Sequence, residues 1–381
     1  MSNKEIYTEW TKTQERLPIF LQPWWMDAVC AGKEWDVVLV ERQKTDSLKE
    51  ESSQTAEESS EQAEVSMTSA PAPDEHPMST RSAPDEHPMT DKEEKEEKDM
   101  EEKEMEMEIV AAMPYLFRKK WWMKWIIMPQ ETQIGGIWLN ENHEFTSEEL
   151  TSVCKEIADK LAEMKLHYYY QQFPVGSPCP DIFRSLGFKI KERVTYRIDN
   201  LIDLDKVIDR FSKNKKRQLQ KALSLHAENK ITAEEFYALH HLWLSMQKKK
   251  ISYSREFLLV LEQKLRKHNQ SQILTICNPD HEPYAAALLV WDSQRMYYLI
   301  PCFNPDYKES GAGALLVLEA IKLAREKGVS FDFEGSMIRG VAQHYKQFGS
   351  LLNTYYSVEK YYKWWFCFAL FWNWLRSRKY N

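Results

Sequence analysis

The segment 331-FDFEGSMIRGVAQHYKQFGS-350 carries several instructions in a short space. Its first residues alternate, so that Phe331 and Phe333 fall on one side of an extended chain while Asp332 and Glu334 fall on the other. Gly335 closes the strand, and 340-GVAQHYKQFG-349 reads as a short helix ending at a second glycine. Lys346 stands between His344–Tyr345 and Phe348, and a lysine held among rings suits an oxyanion, a carboxylate or a phosphate. Paired carboxylates also bring glycoside cleavage to mind, but such pairs flank a bond from separate elements. A buried orienting role, or a contact to Arg339, fits Asp332 and Glu334 better. His344 is a candidate base, although a lone histidine in this setting is more often structural.

Upstream of this corner the pattern is regular. Strands are expected at 271–277, 284–292 and 294–302, a helix at 313–327, a strand at 330–335, the 340–349 helix, and a final strand at 353–360. Helices at 202–222, 232–249 and 255–268 lead into them. The first half has a similar order. Strands at 35–41 and 109–120 precede an extended, glycine-bent stretch at 125–139 and a helix at 147–165 with Ser147 as its cap. A strand at 167–173, a helix at 180–187 and a strand at 188–199 complete it. The chain reads as α/β with mixed sheets, one module used twice: residues 1–43 plus 109–200, then 201–360.

Between the first two strands lies a tract of another kind. Residues 44–108 hold 22 acidic and 7 basic side chains, repeat APDEHPM at 72–78 and 83–89, and end in a Lys/Glu run. Such a segment buries too little apolar surface to offset its ordering entropy, so it is expected to be a disordered loop swollen out of a hairpin. His76 and His87 recur with the repeat and read as duplicated linker rather than metal ligands. The whole chain of 381 residues has a net charge of −7, but the remainder outside this tract is about +8, which suits an anionic substrate, a nucleic acid or a membrane surface. Six scattered cysteines form no CxxC and point to free, mostly buried thiols. No metal site, secretory leader or run long enough to span a bilayer is expected.

Two further features bear on chemistry. In 212-SKNKKRQLQKAL-223, Lys213, Arg217 and Lys221 share one helical face, with Lys215 and Lys216 between them; such a stripe is a phosphate contact or simply a solvated face. In 308-KESGAGALLVLEAIK-322, Gly311 and Gly313 open a helix and let backbone N–H groups approach an anion, or merely form a small-residue turn. Neither a Walker sequence nor GxGxxG is present, and no GxSxG marks a serine nucleophile.

Taken together, FDFEGSM…GVAQHYKQFGS, GAGALLVLEAIKLAREKG and SKNKKRQLQKAL resemble the FemAB-like branch of the GNAT acyltransferase superfamily. Lys308, Gly311 and Gly313 are similar in placing to the GNAT loop R/Q-x-x-G-x-G/A, with lysine where that loop has Arg or Gln. The resemblance implies two tandem GNAT-like domains and transfer of an acyl or aminoacyl group to an amine. The donor would be acyl-CoA or aminoacyl-tRNA, and the acceptor an anionic cell-envelope precursor. It implies no tightly bound cofactor. Lys346 matches the lysine of the family's F-K-x-x-F-G segment, with Tyr345 for the usual Phe, and Lys216 or Arg217 loosely match a phosphate-contacting arginine. Asp332 and Glu334 are the available carboxylates; Lys213 and Lys221 complete the candidate substrate-binding set. Rival readings are a non-catalytic module for an anionic precursor or partner, and a tRNA-binding protein without chemistry.

The C-terminal segment 361–381 contains 364-WWFCFALFWNWL-375 followed by RSRK. Residues 364–379 are expected either to touch the inner face of a membrane as an interfacial anchor, on an otherwise cytoplasmic protein, or to pack on the core.

Overall fold

The computed structural model describes residues 1–43, 107–335 and 337–367. The acidic tract, Ser336 and the end of the aromatic segment lie outside the described residues, and so do the expectations that rest on them.

Short helices α1 (Asn3–Trp10) and α2 (Pro23–Val29) open the chain. Strands β1 (Trp35–Gln43) and β2 (Met107–Lys120) are hydrogen-bonded neighbours, as a hairpin requires. β3 (Met123–Ile127) returns antiparallel to β2, and the two-residue β4 (Trp138–Leu139) also pairs with β2. Helix α3 (Ser147–Glu163) starts one residue earlier in role than expected: Thr146, not Ser147, is the cap and accepts from the Glu149 N–H. It buries Val153, Cys154, Ile157 and Leu161, a 3–4 spacing that faces the sheet. β5 (Tyr168–Gln172), α4 (Cys179–Ser185) and β6 (Lys189–Ile198) follow.

The expected helix over 202–222 is two helices, α5 (Leu204–Asp209) and α6 (Lys213–Lys221). Ser212 breaks it. Its side chain caps α6 by accepting from the Lys215 N–H, and its own N–H donates to the Gln347 carbonyl at 2.8 Å. Beyond lie β7 (His226–Glu228), α7 (Ala233–Met246, opened by a Thr232–Glu235 capping box) and α8 (Arg255–Lys267). The meander β8 (Ser271–Cys277), β9 (Pro283–Trp291) and β10 (Arg295–Phe303) leads to α9 (Ala312–Glu326), β11 (Ser330–Asp332), α10 (Arg339–Lys346) and β12 (Leu351–Tyr361). β11 is shorter than the 330–335 strand expected, because Glu334 (φ 60°) and Gly335 (φ 66°) turn the backbone out of the sheet.

Among the described residues the strands form one mixed sheet in the order β1-β2-β3-β5-β12-β6-β11-β10-β9-β8-β7. Its two halves use one scheme. β3 is antiparallel to β2 and parallel to β5; β10 is antiparallel to β9 and parallel to β11. Each half then receives the other's last strand, for β12 pairs antiparallel with β5 and β6 pairs antiparallel with β11. The exchanged strands also pair with each other from Leu351–Arg197 to Glu359–Lys189. Neither half therefore completes its hydrogen-bonding ladder alone.

Apolar packing follows the same plan. One cluster lies under β10 and α9, with Phe331, Phe333 and Phe348 fully buried. A second lies between α3 and the first-half strands. The third joins the N-terminal helices to α7 and α8, where Phe20 meets Tyr297 edge-on at 4.7 Å. Asp292 anchors that arm: it accepts from the Ile19 N–H at 3.1 Å and from the Tyr297 hydroxyl at 2.9 Å. The five described cysteines other than Cys367 are buried, and all six are free, as expected from their scattered spacing.

Candidate active site

A cleft of about 740 Å³ opens between α6, the ends of β9 and β10, the 304–313 loop and α10. That size accommodates a drug-sized or nucleotide-sized ligand. The 304–313 loop forms one wall. Tyr307 stacks on Tyr284 with centroids 3.7 Å apart, and its hydroxyl donates to Glu282 at 2.9 Å. Gly311 then turns into α9 at φ 86°, with its backbone pressed against α6. A Cβ there would come within 2.1 Å of the Gln218 carbonyl oxygen, so only glycine lets the helix start so close to its neighbour. The first residues of α9, Ala312, Gly313 and Ala314, face the cleft. The Ala312 N–H donates to Ser310 Oγ at 3.2 Å and the Ala314 N–H to the Gly311 carbonyl at 2.9 Å, so the Gly313 N–H and the helix dipole are what that end offers an anion.

The floor holds an unusual cation. Lys215 is only 2% exposed although it belongs to a run of basic residues. Its Nζ lies 3.0 Å from Gln218 Oε1, 3.0 Å from His344 Nδ1 and 4.6 Å from the centre of the Phe348 ring. Burial pulls the ammonium down from its ordinary value to about 8. Burial first, and the neighbouring Lys215 charge second, lower His344 to about 4, so its imidazole is neutral and accepts the lysine's hydrogen. The pair thus places a group that exchanges protons near neutral pH at the bottom of the cleft. Tyr298 lines the same cleft from β10, beside the irregularity between Tyr297 and Ile300, and its buried hydroxyl has no protein partner. An orphaned donor of this kind, together with a glycine cradle at a helix N-terminus, fits a ligand with a carbonyl and phosphates.

The residues singled out from sequence divide into three groups. Lys308, Gly311, Gly313 and Tyr345 line the cleft. Tyr345 stacks on Phe333 at 4.5 Å, and burial with the nearby Glu334 and Asp332 pushes it up to about 12. Lys213, Lys216, Arg217 and Lys221 lie on the other side of α6 and do not line it: Lys216 pairs with Asp209 at 3.3 Å, and Arg217 donates to Asn214 at 3.1 Å. Lys346 is exposed, 5.8 Å from the Tyr196 ring, and also lies outside the cleft lining.

Asp332 is fully buried behind the cleft. It accepts from Arg197 Nε at 2.7 Å, from the Thr195 hydroxyl, and from the Glu334 N–H at 2.8 Å. Its arginine partner is Arg197 from β6 rather than the expected Arg339, because β6 lies directly beside β11. Glu334 has one carboxylate oxygen sealed from solvent without a partner, and burial raises it well above the usual carboxylate range.

Tyr298 was not picked out from sequence, and Lys215 was read only as one member of the basic run. Lys215 did carry a signal. It shares the face of Phe211, Leu219 and Ala222, so it is the one lysine of the run placed on an apolar stripe. Tyr298 gave none, being one aromatic among several in a buried strand.

Comparison with known proteins agrees with this geometry. Residues 195–347 match the family model described as an acetyltransferase (GNAT) domain. Among solved structures the chain is similar to FemX, with a TM-score of 0.50 and 13% identity over 65% of this chain and 85% of that one. It is also similar to the C-terminal domain of a putative lysylphosphatidylglycerol synthetase from Agrobacterium fabrum (TM-score 0.45, 11% identity, covering 66% and 81%). A tandem GNAT protein from the clavulanic acid biosynthesis pathway is similar as well (TM-score 0.43, 9% identity, covering 67% and 81%). A search of curated protein sequences found no match. The cleft and the glycine-opened helix lie within residues 195–347, the segment that is similar to an acetyltransferase (GNAT) domain.

Proposed function

We propose that the protein is an N-acyltransferase or aminoacyltransferase that moves an acyl or aminoacyl group to the amine of an anionic, envelope-type acceptor. The observation that carries this reading is the Lys215–His344 pair at the floor of a cleft walled by the Gly311–Ala314 helix start. Transfer to an amine requires a proton to leave, a carbonyl oxygen to be held as charge grows on it, and a leaving group to be seated. Lys215 exchanges the proton, the Tyr298 hydroxyl donates to the carbonyl, and the α9 N-terminus with Lys308 takes the phosphates of an acyl-CoA or charged tRNA. Lys346 meets the anionic part of the acceptor outside the cleft, a role supported by the family resemblance alone. Asp332, held by Arg197, positions Glu334 and the chain beneath Tyr345. The cleft is open and no Trp among the described residues lines it, which favours an enzyme over a module whose site is filled by its own aromatic side chains.

The repeated strand scheme supports two tandem modules, residues 1–43 plus 109–200 and residues 201–360, that exchange their last strands. Membrane-surface contact is part of the same proposal. No helix among the described residues is long and apolar enough to cross a membrane. Trp121 and Trp122, 72% and 67% exposed, tip the β2–β3 turn beside Lys119, Lys120 and Lys124. Trp364 is 75% exposed at the start of the C-terminal segment, whereas Phe366 packs inward against Trp125 at 5.6 Å.

Calorimetric titration of full-length protein with acetyl-CoA and, separately, with aminoacyl-tRNA tests the donor. Binding of one of them that Gly311→Ala abolishes is the expected result. Binding of neither rejects the transferase reading.

A further inference from the structure

The far edge of the sheet holds a second cluster of chemistry-bearing side chains. His226 and Glu228 lie two residues apart on β7 and so project from one face of the edge strand. The turn between β8 and β9 brings His281 to the same place. His281 Nδ1 lies 2.5 Å and His226 Nε2 2.8 Å from the same oxygen, Glu228 Oε1, and all the donor atoms fall within 4.8 Å of one another. His281 itself adopts φ 63°, a left-handed conformation uncommon outside glycine, which aims its ring across β8 toward β7. Nothing in the proposed transfer reaction uses this cluster, and none of its members lines the cleft.

We propose that His226, Glu228 and His281 form a divalent transition-metal site, with zinc as the ion whose chemistry fits best. Two imidazoles and one carboxylate are the ligand types that zinc takes with nitrogen and oxygen donors, leaving a fourth position for water. Bonds of about 2.0–2.1 Å in a tetrahedral arrangement place donors about 3.3 Å apart. Seating the ion therefore requires His281 to draw back from Glu228 by about 0.8 Å and His226 by about 0.5 Å, within the freedom of an exposed and a half-buried side chain. Lys230 Nζ lies 3.7 Å from Glu228 Oε2. It is 72% exposed and free to swing into solvent.

The site would act as a clamp. β7 spans only three residues at a sheet edge, and few ladder bonds hold it. An ion shared with the β8–β9 turn ties both flanks of β8 together. The same turn carries Glu282, the acceptor for Tyr307 in the cleft wall, so the clamp also steadies one side of the cleft.

The test titrates full-length, metal-free protein with Zn²⁺ in competition with a chromogenic chelator. The variants His281→Ala, Glu228→Gln, Lys230→Ala and the double variant His76→Ala/His87→Ala are compared with the parent chain. The expected result is one ion per chain, bound roughly 10-fold or more weakly by His281→Ala and by Glu228→Gln. Lys230→Ala and the double variant should bind as the parent does. Zinc should raise Tm in the parent but not in His281→Ala, with both melting alike in its absence, which separates lost ligation from a folding defect. Co²⁺ in place of zinc should give visible bands of a nitrogen–oxygen site without a thiolate charge-transfer band. Absence of stoichiometric binding overturns the proposal. So does binding that survives His281→Ala, binding that disappears with His76 and His87, or a thiolate band.

Discussion

Lys215 Nζ lies 3.0 Å from His344 Nδ1 at the floor of the cleft, with the lysine itself only 2% exposed. A lysine so placed is costly to keep charged, and the geometry makes it a group for proton exchange rather than a stabilising ion. Replacing it separates the two roles. Lys215→Met should slow transfer about 100-fold or more, the lower range for loss of acid–base help, while leaving Tm unchanged or higher. Single-turnover transfer from the donor that binds, with thermal melting of the same samples, reads both. A variant that keeps full activity would remove Lys215 from the reaction.

The same pair sets a pH dependence. In the fold Lys215 titrates near 8 instead of 10.5, so between those values the unfolded chain binds more protons than the native one. Stability therefore rises as pH climbs from about 8 toward 10.5, and the penalty is fully present below 8. His344, lowered from 6.5 to about 4, acts in the same direction across that acid window. Urea unfolding across both windows should show the two rises; Lys215→Met should lose the alkaline one relative to the parent chain.

Gly311→Ala should destabilise the fold by about 1–3 kcal/mol, since a side chain must adopt a left-handed backbone while colliding with the Gln218 carbonyl. Donor binding should fall with it. Gly340→Ala is the control, because a Cβ there meets no atom within 4 Å and the residue is helical. It should melt at the same temperature as the parent or slightly above.

Asp332→Ala should cost about 3–5 kcal/mol, because it strands the Arg197 guanidinium in the interior. The double variant Arg197→Met/Asp332→Leu should recover much of that loss, the usual behaviour when a buried pair gives way to apolar groups of similar size. Denaturant midpoints of the single and double variants decide it. Additive losses would mean the two side chains do not act as a pair.

Trp121→Ala/Trp122→Ala should reduce co-sedimentation with phosphatidylglycerol vesicles, and truncation after Lys360 should reduce it further. Equal soluble recovery of the parent chain and both variants would remove the membrane contact from the proposal.

Periodicity alone placed most elements. The 3–4 spacing of Val153, Ile157 and Leu161 faces the sheet, and the meander from Ser271 to Phe303 lies where strands were expected at 271–277, 284–292 and 294–302. The break at Ser212 was hidden because the helical pattern continues through it, and only the Gln347 carbonyl makes a cap there worth more than another turn. Of the candidate site, Gly311, Gly313 and Lys308 were legible in the glycine-rich helix start, since a close backbone approach leaves its mark in residue type.

The amino-acid sequence by itself determined the alternation of strands and helices, the glycines at the start of α9 and the fact that a lysine run precedes them. Only the tertiary structure decided which lysine of the run lines the cleft. Lys213, Arg217 and Lys221 share the more conspicuous face, but the packing of α6 on Phe348 and α10 turns Lys215 inward and the others out. The partners of Asp332, the orphaned Tyr298 hydroxyl and the meeting of His226 with His281 were settled in the same way. Each depends on strands distant in sequence becoming neighbours in the sheet, and a contact of that kind leaves no period to read.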